Sequence, residues 1–209
     1  MNIVEMHQTF RVIAQKAGMQ LSRSILPEEI DVFINLAIEK KVKQEIELIA
    51  STQFPEDVAT KDNSLTTLNY LKDLVIVDNV NVNTTLPNFS NNLTKNPIAY
   101  LYFIVVYGNS IETYKCRFIE PDKYDMTVRD FCNKPSREYP VVTLRGNELI
   151  FNNGVSQIEN KTLKVGYIRE PNKVSLNSNK DCDLPTYDHY NIVQLAVSEY
   201  ISSLVNTTV

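Results

Sequence analysis

The chain is short of the residues that most often carry chemistry. Its 209 residues include two histidines, three cysteines, five glycines and no tryptophan. Scarce glycine bears first on nucleotide chemistry. A phosphate cradle needs backbone amides brought close by glycines, as in GxxxxGK[ST] or GxGxxG, and neither pattern occurs. Asparagine, present 22 times, can take over some left-handed turn positions from glycine. Cys116, Cys132 and Cys182 are odd in number and lack CxxC spacing. They do not make a paired zinc framework and read as buried thiols in a reducing compartment. No apolar run approaches the length of a membrane span, and the longest, Ile98 to Tyr107, has the length of a buried strand. The opening MNIVEMHQTF lacks a basic region followed by an apolar block, so it does not read as a secretory signal. Five N-x-S/T sequons, at Asn83, Asn88, Asn92, Asn160 and Asn206, carry no chemical meaning without a secretory route.

What is present is an ordinary globular composition, 43% hydrophobic and 22% charged. A chain of this length buries roughly 70% of its unfolded surface, enough for a core without staples. The net charge of −4 argues against a dedicated nucleic-acid binder held by phosphate contacts.

Along the chain the hydrophobic period changes twice. Ile3, Met6, Phe10, Ile13, Ala14 and Ala17 recur at helical spacing, with Gly18 placed as a left-handed cap. Pro27 suits the first position of a second helix, and Glu28, Glu29 and Asp31 match the positive end of its dipole. Its stripe runs Ile30, Phe33, Ile34, Ala37, Ile38, Val42, Ile46 and Ile49. Val32, Leu36 and Leu48 lie off that stripe, a second apolar flank covered either within the monomer or by a neighbouring subunit. A polar stretch, Thr52–Ser64, and a short helix on Leu65, Leu68, Leu71 and Leu74 follow.

From Val75 the period becomes two. Val75 and Val77, then Val80 and Val82, predict a strand with a bulge at Asn79. Leu86–Pro97 reads as a loop; like Thr52–Ser64, it has too little apolar content to pack alone and is expected to be ordered by neighbours. Ile98–Tyr107 predicts a central strand buried on both faces, Gly108-Asn109-Ser110 a turn, and Tyr114, Cys116 and Phe118 one face of the return strand. Pro121 and Asp122 open a short helix with Tyr124, Val128, Phe131 and Cys132 on one side. Val141–Leu144 and Leu149–Phe151 predict a second hairpin, and Leu163, Val165 and Tyr167 a last strand. A C-terminal helix follows, capped by Asp183 or Thr186, with Val193, Ala196, Val197, Tyr200 and Leu204 as its stripe.

Segregated blocks of this kind predict an α+β fold: N-terminal helices and a C-terminal helix packed together, around a central antiparallel β-rich region of hairpins. The expected divisions are 1–74 helical, 75–183 β-rich and 184–209 the closing helix, within one compact domain.

Catalytic constellations are sparse. Cys182 and His189 lie seven residues apart, so a nucleophile–base dyad is one reading and an unreactive pair the other. Asp31, Glu39 and Lys41 contain E-x-K and could hold Mg²⁺ for nucleic-acid cleavage only if they converged in a cleft; the plain reading is a solvated helix face. Asp181-Cys182-Asp183 and Asn79/Asn81/Asn83 lack a calcium-loop frame. Lys40, Lys41 and Lys43 are interleaved with Glu39, Glu45 and Glu47, so their field largely cancels. No catalytic residue, cofactor or metal is therefore assigned.

Leu26-Pro27-Glu28-Glu29-Ile30, followed by Phe33-Ile34-Asn35 and Ala37, resembles the opening helix of ring proteins from the head-to-tail connectors of crAss-like bacteriophages. Tyr167-Ile168-Arg169-Glu170-Pro171, then Cys182-Asp183-Leu184-Pro185, His189, Ile192-Val193, Ala196-Val197 and Tyr200, resembles the strand, loop and closing helix of such connector proteins. The resemblance implies a non-catalytic virion structural protein at the head–tail junction. It would be one of a ring of identical subunits, a dodecamer by portal symmetry, contacting the portal protein and other connector or tail rings. DNA would pass through the lumen without sequence-specific binding, and no membrane is involved. A ring needs head-to-tail contacts that close; the candidates for that interface are Phe10, Leu26, Pro27, Val32, Leu36 and Leu48. The alternatives are a tail completion or stopper protein, and a small metal-dependent nuclease or other phage enzyme.

Overall fold

The computed structural model describes residues 1–16, 25–51, 70–82, 84–108, 112–154 and 161–206. Gly18, the stretch Thr52–Ser64, the first half of the Leu65–Leu74 helix, and Asn109 and Ser110 lie outside them. The fold is α+β, with helices from both ends of the chain and a β-rich centre. Two compact units form: Met1–Leu74 with Pro171–Val209, and Val75–Glu170. Pro171–Asp183, expected with the strands, thus belongs to the helical unit.

In the helical unit, α1 (Ile3–Lys16) opens with a reciprocal cap. The Glu5 amide donates to Asn2 Oδ1 and the Asn2 amide to Glu5 Oε2, satisfying two donors that the first turn leaves free. Ile3, Met6, Phe10 and Ala14 form its buried stripe. α2 (Pro27–Ser51) is about 37 Å long at 1.5 Å per residue, and buries Ile30, Ile34, Ala37, Ile38 and Val42. The third long helix of this unit, His189–Asn206, buries Ile192, Val193, Ala196 and Val197 and packs on both α1 and α2. Tyr200 joins them, its ring 5.9 Å from Phe10 and 5.3 Å from Phe33. The closing helix is not capped by Asp183 or Thr186. It grows out of a 3-10 turn, Thr186–Asp188, and Asp183 instead accepts the Asn172 amide.

The second unit holds two four-stranded sheets. One has the order β1 (Val75–Asn81), β8 (Lys161–Arg169), β3 (Pro97–Tyr107), β4 (Thr113–Lys115) and is antiparallel throughout. The other runs β2 (Thr85–Leu86), β7 (Glu148–Asn152), β6 (Val141–Arg145), β5 (Arg117–Phe118); here β5 and β6 pair in parallel, so the region is not wholly antiparallel. The β6–β7 hairpin forms as expected, with Leu144 opposite Leu149 and Gly146 at φ 59° in its turn.

Four expectations are corrected here. β1 pairs with β8 in unbroken register from Val75↔Ile168 to Asn81↔Thr162, so there is no bulge at Asn79. The break in period arises because Val77 faces solvent while Val80 and Val82 face the core. β3 lies inside its sheet but alternates, burying Phe103, Val105 and Tyr107 and exposing Ile98. The return strand divides at Cys116: Thr113–Lys115 stays with β3, and Arg117–Phe118 crosses to the other sheet, leaving Phe118 exposed. Finally, Leu86–Pro97 packs by its own means. Phe89 and Leu93 are buried in this unit's core, and the Phe89 amide donates to Asn147 O.

Tyr102 lies across from Gly166 on β8, where a Cβ would stand 2.5 Å from its ring. A ring series runs Phe89, Tyr100, Phe103, Phe118, with successive centroids 6.0, 5.5 and 6.2 Å apart.

Candidate interaction surfaces

His189, Asp31 and Lys41 are each engaged in structure. His189 is buried, and its Nδ1 and Nε2 each lie 2.8 Å from a carbonyl oxygen, of Met1 and Leu184 respectively. Both ring nitrogens are turned to these backbone carbonyls, and no hydrogen bond joins the ring to Cys182 among the described residues. Burial also pushes the Cys182 thiol up to about 11, away from the thiolate a nucleophile needs. The dyad reading is therefore corrected. Cys116 is buried, its thiol pushed up to about 12, whereas Cys132 is exposed, against the expectation that all three are buried.

Asp31, Glu39 and Lys41 do not converge. Asp31 Oδ1 lies 2.7 Å from His7 Nε2, and the Leu176 amide donates to both of its carboxylate oxygens, at 3.3 and 3.1 Å. Lys41 pairs with Glu45 at 3.0 Å. Asp31 and Glu39 are eight residues apart on one rod, about 12 Å by helical rise. Among the described residues no three His, Cys, Asp or Glu side chains gather to hold a metal, and no helix is long and apolar enough to cross a membrane.

Asp31 works instead with Asn35, one turn on. The Asn35 amide group both donates to Val174 O (3.1 Å) and accepts from the Val174 amide (2.9 Å), as a paired strand would. Together with Asp181, which accepts the Ile3 amide at 2.7 Å, they fasten segment 171–183 to the helices. Asp188 is likewise structural: Tyr70 Oη and Asn191 Nδ2 each donate to it at 2.6 Å. Desolvation, then the Asp188 hydrogen bond and charge, push the Tyr70 hydroxyl far above its ordinary value.

The six expected interface residues separate. Phe10 is fully buried among the helices and is removed from the interface set. Pro27 is half-buried. Leu26, Val32, Leu36 and Leu48 are exposed, Val32 by 63%. Val32 and Leu36, on the second flank of α2, are thus left exposed by the described residues. At 100° per residue, Val32 and Leu36 share a face with Glu28, Glu39, Lys43 and Glu47, whereas Leu48 lies on the side of Ile30 and Ile34 but near the helix end.

The strand unit carries a surface that the sequence did not disclose. Beside α3 (Tyr124–Arg129), residues Arg117, Phe118, Ile119, Lys123, Met126 and Asp130 line an open hollow of about 610 Å³. Met126 is 75% exposed; Phe131, expected on one side of a helix with Cys132, is 86% exposed because the helix stops at Arg129. Phe118 stacks one face on Phe103, at 12° between planes, and leaves the other to solvent. The available signal was the mixed period of 117–131, which neither a strand nor a helix accounts for.

No protein-family model and no curated protein sequence matches the chain.

Proposed function

We propose that this chain is a non-catalytic virion structural protein, a subunit of a ring in the head-to-tail connector of a crAss-like bacteriophage, below the portal. The observation that carries the reading is the large apolar side chains left uncovered on both units: Leu26, Val32 and Leu36 on one, Phe118, Met126 and Phe131 on the other. Large exposed apolar patches mark surfaces that other chains cover. Supporting it are the two stretches that resemble connector proteins, Leu26–Ala37 and Tyr167–Tyr200, and the engagement of Asp31, Lys41 and His189 in local structure. The ring would join identical subunits, a dodecamer under portal symmetry, and dock tail components. A net charge of −4 suits a lumen through which DNA passes without adhering.

Native mass spectrometry of virions, and of the purified chain mixed with its portal protein, tests this. A ring mass and a stable complex are expected. A chain absent from particles and indifferent to the portal would overturn the reading. A tail completion or stopper protein differs only by position, which an image of the particle decides.

A further inference from the structure

We propose that the hollow beside α3 in one copy receives the first half of α2 from a second copy. Val32 and Leu36 enter against Phe118 and Met126, and Glu28 and Glu39, on the same face of that half-helix, meet Arg117. The inference deepens the ring reading, from which it takes only that copies meet head to tail.

Three observations select a second copy as the occupant. Both partners of the contact exist in the chain: a convex apolar pair on a long rigid helix, and a concave apolar site walled by a stacked phenylalanine. Their charges are opposite. On the face of Val32 and Leu36, the stretch Pro27–Glu39 carries Glu28 and Glu39 and no base, while Asp31 is turned to His7 and the Leu176 amide. Among the described residues the one acid lining the hollow, Asp130, is engaged, and so is the lining Lys123, through the neighbouring Glu120. Glu120 holds Lys123 at 2.5 Å, and Asp130 accepts from the Cys132 amide and from Asn133 Nδ2. Arg117 has a different position: its Nη2 donates to Asn133 O at 2.8 Å, and it meets no carboxylate among the described residues. Arg129 and Lys134, in the same segment, likewise meet none. Finally, the two surfaces differ from one another, so their pairing is heterologous, the kind that propagates into a ring. A helix laid into an apolar groove is a recurrent recognition mode, with anchors at i and i+4 as Val32 and Leu36 are.

The test is sedimentation of the full-length chain over a concentration series up to its solubility limit. The wild type should associate. Val32→Glu and Met126→Glu should each leave a monomer, with unchanged circular dichroism because both side chains are mostly exposed. Mixed in equal amounts, the two variants should form dimers and stop there. Only one sound contact survives, between the α2 of the Met126→Glu copy and the hollow of the Val32→Glu copy. Arg117→Ala should weaken association roughly tenfold and flatten its salt dependence. Leu36→Lys and Phe118→Ser serve as a second pair if either first variant misfolds.

A wild type that stays monomeric throughout, association that survives both variants, or a mixture that stays monomeric overturns the contact. So does shielding of Val32 that requires added portal protein, which would make the portal the occupant. The two readings fail separately. Copies found in the particle, with association indifferent to both variants, sink this contact alone. Association of the expected kind by a chain absent from particles sinks the connector reading alone.

Discussion

In the helical unit, irregular chain is fastened by single polar side chains acting on backbone. Asn35 grips Val174, Asp31 grips Leu176, Asp181 grips Ile3, and His189 faces Met1 and Leu184. In the strand unit, the 86–97 connection adds apolar burial and ring contact to such grips: Phe89 and Leu93 are buried in the core and the aromatic series crosses it, while Asn147, Asp78 and Tyr167 accept the Ser90, Thr94 and Lys95 amides. Three helices satisfy their own backbones and offer none to a passing loop, so a loop against them must find side-chain partners. The loop beside the strands has polar partners too, but it also carries large apolar side chains into the core, which segment 171–183 does mainly through Val174.

That contrast can be tested from the strongest substitution to the weakest. Phe10→Ala should cost about 3–5 kcal/mol in urea denaturation, because it empties a fully buried site among the helices. Its size also separates Phe10 from the exposed flank, where Val32→Ala should stay within about 0.5 kcal/mol. In the strand unit, Gly154→Ala should cost about 2–4 kcal/mol, since Gly154 sits at φ 67° and a Cβ would run into the Pro135 carbonyl. Asn35→Ala should cost about 1–3 kcal/mol, as it strands two backbone groups of Val174; hydrogen exchange at Val174 should accelerate while β8 amides keep their protection.

Asp78→Asn is the mildest and is read by pH. Burial of Asp78 opposes its ionisation, but hydrogen bonds from the Thr94 amide, Thr94 Oγ1 and Tyr167 Oη outweigh that and hold its carboxyl below the ordinary 3.8. A carboxyl depressed in the folded state contributes stability above its unfolded pKa and loses it as pH falls through the folded value. The stability gap between wild type and Asp78→Asn should therefore be present at neutral pH and close below the ordinary carboxylate range. A larger loss at neutral pH from Asp78→Asn than from Asn35→Ala would break the contrast between the units.

The parts legible in the sequence were those with a long local period. Ile3 to Ala14, Ile30 to Val42 and Ile192 to Val197 announced three helices, and the spacing around Gly146 announced β6 and β7. Pairing between distant segments was not legible. β1 lies against β8, more than eighty residues on, and nothing in Val75–Asn81 names that partner. For the same reason the division at Cys116 was invisible: Tyr114, Cys116 and Phe118 alternate smoothly, yet the two sheets take their halves separately. Of the candidate surfaces, Val32 and Leu36 stood out as surplus to their helix's stripe. Phe118 and Met126 did not, because apolar residues in short elements look like core until the cover fails to arrive. Asp31 and Asn35 carried no warning either, as a polar residue's backbone target is set only by the fold.

The division at Cys116 has a mechanical consequence. The Cys116 amide is bound to Phe103 O in one sheet, and the very next amide, Arg117, to Pro140 O in the other. One residue, flanked by two successive peptide units, thus serves as a rivet between two plates. Shear between the sheets therefore loads Cys116 directly, and a substitution that loosens this joint should lower the protection of β4 and β5 amides together.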